Sequence, residues 1–317
     1  MEKISLGISS CLLGRQVRFD GGHRWERWLT ATWGPWVDLV PVCPEVECGL
    51  GVPRDPMRLV GDPAAPRLLT VRTRQDHTQT LLAWVQPRLR ELEQEDLCGF
   101  IFKSNSPSCG PAGVKVYPET GRGTPAPRGV GLFARAFLEH FPLLPAAAED
   151  RLPDPGFREN FLERLFVCRR WRQLLARKAG PGELVAFHTR HKLQVLAHSP
   201  AHYRLLGQLV ARVKDHPLQE VYGQYQTLLM AALRLQATPR KHTNVLQHIL
   251  GYFKKELPAN EKQELLELIV SYHRGDVPLL VPLTLLNHYG RQYRQPYLQE
   301  QFYLHPHPLE MRLRNQA

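Results

Sequence analysis

The chain has 317 residues, of which 43% are hydrophobic and 22% charged, with a formal net charge of +11 at pH 7; this is the composition of a globular protein of about two domains and excludes a disordered or collagen-like chain. The apolar stretch VPLLVPLTLL falls well short of the roughly 18 to 20 residues a membrane helix needs, and the N-terminus MEKISLGISSCLLGRQ lacks the parts of a signal peptide. A cytoplasmic location is expected, where six cysteines are ligands or reactive thiols rather than disulfide staples.

In chain order, EKISLGISSCLLG is an apolar alternation that ends in small residues, the pattern of a buried strand feeding a loop. WVDLVPVCPE and LCGFIFKSNSPSCG repeat it. Between them HTQTLLAWVQPRLRELEQEDL has helical spacing, with Pro87 marking a start or a kink. Strands alternating with helices predict a mainly parallel, Rossmann-like α/β sheet, closed by the helix GVGLFARAFLEHF near Phe141. The proline-rich, acidic segment PLLPAAAEDRLPDPG (142–156) reads as a linker. Six helical segments follow, from FRENFLERLFVCRRWRQLLAR to ANEKQELLELIVSYHRG, so residues 157–317 are predicted to form an all-α domain. Residues 1–141 form the α/β domain in this division.

Ligands in open α/β sheets bind at the carboxyl ends of the strands, and Cys11, Cys43 and Cys109 each lie at or beyond such an end. Cys109, in a loop of serines, prolines and glycines, is expected to be exposed for chemistry. No Cys-x-x-Cys pair exists, so a zinc ribbon is excluded. Three separated thiolates can hold an iron–sulfur cluster with one iron left open; burial as small hydrophobes is the alternative.

The neighbours of these cysteines are CLLGRQVRFDGGH, CPEVECGLGVPRDP and SPSCG. Three such motifs in this order resemble the thiouracil desulfidase (TudS) family, over about the first 140 residues. The resemblance implies a [4Fe-4S] cluster on Cys11, Cys43 and Cys109 that removes sulfur from a thiolated pyrimidine. Hydrolysis needs a base near the cluster to activate water, and Glu45, two residues after the presumed ligand Cys43, is the candidate; the resemblance implies Ser106 as a hydrogen-bonding partner of base or water. Turn-forming and helix-capping roles compete for Glu45, Ser106 and Ser108. Cys48 departs from the family pattern and is a possible alternative ligand; Cys98 and Cys168 are expected to be packing residues.

The second half resembles a formerly unknown-function family through HKLQVLAHSPAHYRLLG, KHTNVLQHILGYFKKEL and VPLLVPLTLLNHYGRQYRQPYLQEQ. The fusion is similar to RudS-type desulfidases, which return 4-thiouridine in tRNA to uridine. The charge fits a polyanionic partner: residues 1–145 carry +2 and residues 146–317 carry +9. Candidate RNA contacts are Lys103, Arg240, Lys241, His242, Lys254 and Lys255; Arg240 and Lys241 stand at a helix start, where cations oppose the macrodipole and so serve something other than that helix, and Lys254 and Lys255 lie near its end. His188, His191, His198 and His202 have helical spacing but no H-E-x-x-H pattern, so packing or RNA contact is expected over a second metal. Two other functions fit the same residues: a desulfidase of free thiouracil-type bases, and a non-enzymatic iron–sulfur sensor that binds nucleic acid.

Overall fold

The computed structural model describes residues 3–120 and 124–315, which fall into two compact units, one ending at Arg169 and the other running from Arg170 to Asn315. The first contains strands β1 (Ile4–Ser9), β2 (Val37–Val42), β3 (Met57–Val60), β4 (Arg67–Thr70), β5 (Phe100–Phe102), β6 (Val114–Tyr117), β7 (Ala126–Gly129) and β8 (Ala146–Ala148). Its helices are α1 (Arg27–Thr32), α2 (Pro44–Glu47), α3 (Thr78–Gln94) and α4 (Leu132–His140), and α5 (Pro155–Ala176) crosses the boundary.

β2, β1, β5 and β8 form a parallel sheet in that order. Its central strands β1 and β5 are apolar and almost wholly buried, as in a parallel sheet covered by helices, whereas edge strand β2 exposes Asp38. Gly7 sits in β1 because a Cβ there would come within 2.2 Å of the Phe100 ring. Phe100, Phe102, Phe133 and Phe137 pack together behind the sheet and are fully buried. A second sheet, ordered β4-β3-β6-β7, is mixed, with antiparallel pairs at both edges. The sequence reading missed it, since its strands are short and two are half-exposed.

Segment 142–156 is not a linker. Its three alanines form β8 and pair with Phe100, Ile101 and Phe102 of β5, where small side chains fit beside the aromatic cluster. Glu149, one of the acidic residues that made the segment look like a linker, is buried against Lys103. The first unit therefore extends past residue 141 into α5. Pro87 lies inside α3, neither starting nor ending it.

The second unit is helical, as expected: α6 (Pro181–His198), α7 (Pro200–Ala211), α8 (Leu218–Arg234), α9 (Pro239–Leu250), α10 (Ala259–Arg274), α11 (Leu280–Gln292), α12 (Pro296–Gln299) and α13 (Pro308–Asn315). Leu193, Leu246, Ile249, Phe253, Leu265 and Leu286 anchor its core. Among the described residues no helix is long and apolar enough to cross a membrane.

Candidate active site

The three cysteines reach one place by three different local structures. Cys11 occupies a single 3-10 turn directly after β1, closed by left-handed Gly14, whose N–H bonds the Cys11 carbonyl at 3.3 Å. Cys43 is the N-cap of α2 directly after β2, and its N–H donates to Glu47 Oε1 at 2.7 Å. Cys109 follows β5 by a short loop that α4 holds down: the N–H groups of Phe133 and Ala134 donate to the Ser108 carbonyl at 3.0 and 3.2 Å. These are first-turn amides of a helix, which need acceptors from outside it. Gly131 permits the approach, because a Cβ there would lie 2.6 Å from the Ser108 carbonyl group.

All three thiols border a single cavity of about 370 Å³, together with Glu45, Arg54, Lys103, Ser106 and Ser108. Cys109 is only 6% exposed, so the expectation of an exposed cysteine is corrected: the loop faces inward, onto the cavity. Cys48 does not border it, and its thiol donates to the Glu45 carbonyl at 3.3 Å. Cys98 and Cys168 are buried elsewhere.

Burial pushes the Cys11 and Cys43 thiols up to about 11, opposed at Cys11 by Arg18 and Lys103 and at Cys43 by the Val46 amide and Arg54. Cys109 is raised further, by burial and then by its neighbours Cys43, Glu45 and Cys11. Three enclosed thiols that resist ionisation next to one another are a donor set whose thiolate form requires a cationic group among them. Among the described residues no three His, Cys, Asp or Glu side chains come close enough for a single metal ion. Cys11, Cys43 and Cys109 line one shared cavity. That fits a polynuclear iron–sulfur cluster, in which each thiolate binds its own iron.

Glu45 is fixed at both oxygens. Arg54 Nε donates to Oε2 at 3.0 Å, its NH2 group joins the same oxygen, and Ser108 Oγ donates to Oε1 at 2.6 Å. Glu45 does not cap α2; Glu47 performs that task. Ser106 reaches Glu45 only through Ser108, whose hydroxyl lies 3.0 Å from its own. The Ser106 hydroxyl accepts from the N–H of Cys109 at 3.1 Å and so shapes the cysteine loop. Ser108 and Arg54 are the functional residues the sequence reading did not assign. Both stood inside the quoted motifs, but spacing alone could not say which serine of SPS faces the carboxylate.

Lys103 borders the cavity but is ion-paired with buried Glu149, and its ammonium also donates to the Ser104 carbonyl at 3.2 Å. Its ammonium is held by Glu149 and Ser104 at the edge of the cavity. In the second unit, Lys241 Nζ donates to the His198 and Gln236 carbonyls at 2.8 and 2.9 Å. His198 ends α6, so this cation neutralises the C-terminus of another helix, which explains its place at the unfavourable end of its own. His242 bonds Tyr303 Oη at 2.8 Å. Arg240, Lys254 and Lys255 are exposed, the two lysines in a turn beyond α9 rather than on it. His188, His191 and His198 are buried and bonded to Tyr225, the Phe187 carbonyl and the Leu235 carbonyl; His202 bonds Ser199. A cavity of about 380 Å³ in the second unit is bordered by Arg177, Arg190, Phe187 and Phe302.

Residues 6–149 match the model of a family described as 2-thiouracil desulfurase, and residues 192–308 that of a family described only as a protein of unknown function, DUF1722. The chain is 38% identical over 160 residues to the uncharacterized protein YbgA of Escherichia coli, covering 50% of this chain and 95% of that protein. It is 28% identical over 111 residues to the uncharacterized protein YbbK of Bacillus subtilis, 32% of this chain and 71% of that one. A solved structure described as the [4Fe-4S]-dependent thiouracil desulfidase TudS is 29% identical, with a TM-score of 0.39, over 49% of this chain and 95% of its own. Residues 6–149 thus match the 2-thiouracil desulfurase model, and the chain belongs to the family of YbgA.

Proposed function

We propose that the chain is a [4Fe-4S]-dependent desulfidase that converts 4-thiouridine in tRNA to uridine with release of sulfide. The observation that carries this reading is the convergence of Cys11, Cys43 and Cys109 on one cavity with a doubly anchored Glu45, inside a domain that matches the 2-thiouracil desulfurase family. The reaction is a hydrolysis: a thiocarbonyl and water give a carbonyl and hydrogen sulfide, with no net electron transfer.

Cys11, Cys43 and Cys109 would hold the cluster. When bound, such a cluster supplies an open iron that acts as a Lewis acid toward the thiocarbonyl sulfur. Glu45 takes the proton from the attacking water. Ser108 and Arg54 hold its carboxylate in one orientation, which restricts the direction from which water is activated.

The tRNA substrate is supported by the +9 charge of residues 146–317 and by the exposed Arg240, Lys254 and Lys255, because a free base offers no phosphates for such a surface. Reaching a base within folded RNA also requires that base to be turned out of its stack. The test is to reconstitute the protein anaerobically with iron and sulfide and follow sulfide release, with uridine formed from 4-thiouridine-containing tRNA and uracil formed from free 4-thiouracil or free 2-thiouracil, at low and high salt. The proposal expects turnover of tRNA that weakens as salt rises. Turnover of free bases alone would make the chain a small-molecule enzyme. RNA binding without turnover of any of the three would leave a sensor.

A further inference from the structure

A second cavity adjoins the catalytic one. Met57, Asn105 and Pro107 border both, and the second, of about 300 Å³, is otherwise marked by Arg58, Lys115 and Tyr117. These residues come from β3 and β6, which pair in parallel with Val60 opposite Tyr117. The period of two along β6 buries Val114 and Val116 and leaves Lys115 and Tyr117 on the other face. The Arg58 guanidinium lies over the Tyr117 ring, 4.7 Å from its centroid, and its buried Nε–H has no hydrogen-bond acceptor. Asn105, on the ridge between the cavities, is exposed and held in the left-handed conformation at φ 57°.

Two cations and an aromatic ring beside a site for a pyrimidine form the pattern that binds a phosphodiester and the base attached to it: the cations meet phosphate and the ring offers a stacking face. The Arg58 guanidinium lying over that ring adds its own plane to the stacking surface. A free thiobase would leave this second cavity without a partner. We infer that it binds the nucleotide adjacent in the chain to the thiolated one, so that the first unit itself selects a polynucleotide over a free base. This inference rests on the desulfidase reading of the adjoining cavity.

The test uses the full chain, reconstituted, with 4-thiouridine nucleoside, its 5′-monophosphate and an RNA trinucleotide carrying 4-thiouridine at its centre. Wild type is compared with Arg58→Met and Tyr117→Leu, and calorimetric titration of the unmodified trinucleotide is run in parallel. Wild-type kcat/KM for the trinucleotide is expected to exceed that for the nucleoside about fivefold or more, the low end of base–aromatic stacking. Both variants are expected to lose most of that ratio, through KM rather than kcat, and to bind the unmodified trinucleotide correspondingly less tightly. Nucleoside turnover in the same preparations reports whether each variant has folded. A trinucleotide-to-nucleoside ratio equal in wild type and both variants would overturn the inference. A monophosphate that already shows the whole advantage would also overturn it, because the phosphate would then be the thiolated nucleotide's own. Absence of turnover on every substrate would instead sink the desulfidase reading, and the calorimetric contrast would still decide the second cavity.

Discussion

At the scale of single residues, the site depends on which oxygen of Glu45 is held by what. Oε2 faces Arg54 and Oε1 receives the Ser108 hydroxyl, so Glu45→Gln should retain the cavity's shape while removing the proton acceptor. Its kcat on 4-thiouridine substrates is expected to fall about a hundredfold or more, with iron content unchanged. Ser108→Ala leaves one carboxylate oxygen unheld and should lower kcat about tenfold, in keeping with the removal of a hydrogen bond to a charged group. Ser106→Ala acts on the backbone of the Cys109 loop and should reduce iron retention more than kcat per cluster. Equal effects of the two serine variants on both quantities would refute these separate roles. The candidate site was legible in the sequence as far as Cys11, Cys43, Cys109 and Glu45, because strand-end position and motif neighbours converge on them. Ser108, Arg54 and the pairing of Lys103 with Glu149 were not legible, since each depends on a side-chain contact that motif spacing does not show.

At the scale of elements, two features of the packing have measurable consequences. The N-terminus of α4 holds the Cys109 loop at Gly131, where a Cβ would lie 2.6 Å from the Ser108 carbonyl carbon and oxygen. Gly131→Ala should therefore cost about 1–3 kcal/mol of stability, as overpacking does, and displace Cys109. A thermal melt together with iron content after reconstitution checks this: a variant as stable as wild type and as fully loaded with iron would contradict it. On α6, burial holds His188 down to about 4, below its ordinary value near 6.5, and lowers His191 as well. The unfolded chain then binds protons that the folded chain does not. The stability associated with neutral His188 is fully present above about pH 6.5 and is lost as pH falls toward 4, at most on the order of 3 kcal/mol. Chemical denaturation at pH 7 and pH 5 should show this decline for wild type and a smaller one for His188→Gln. The helices of the second unit were readable because apolar spacing of three and four persists over many residues. β8 was not, because three alanines carry no strand signal and acquire one only beside β5.

At the scale of the whole molecule, one chain joins an α/β unit that holds the site to a helical unit that carries most of the positive charge. The division was legible from the change in sequence pattern, but its position was not, because proline and acidic residues mark both linkers and the last strand of this sheet. If the charge serves RNA, the affinity for tRNA should fall linearly with the logarithm of salt concentration, and Lys254→Ala with Lys255→Ala should reduce the slope by about one for each phosphate no longer neutralised. Lys241→Ala should instead lower stability, since Lys241 is committed to the carbonyls of His198 and Gln236. An unchanged salt slope in the double lysine variant would move the RNA surface elsewhere. The central claim, that Cys11, Cys43, Cys109 and Glu45 form one desulfidase site, is tested most directly by a single anaerobic turnover of 4-thiouridine-containing tRNA on the reconstituted protein, with sulfide and uridine both quantified. The account expects one sulfide for each uridine formed, none from a Cys11→Ala, Cys43→Ala or Cys109→Ala protein, and a rate at least about a hundredfold lower from Glu45→Gln. Undiminished turnover in any of the three cysteine variants, or in Glu45→Gln, would contradict it.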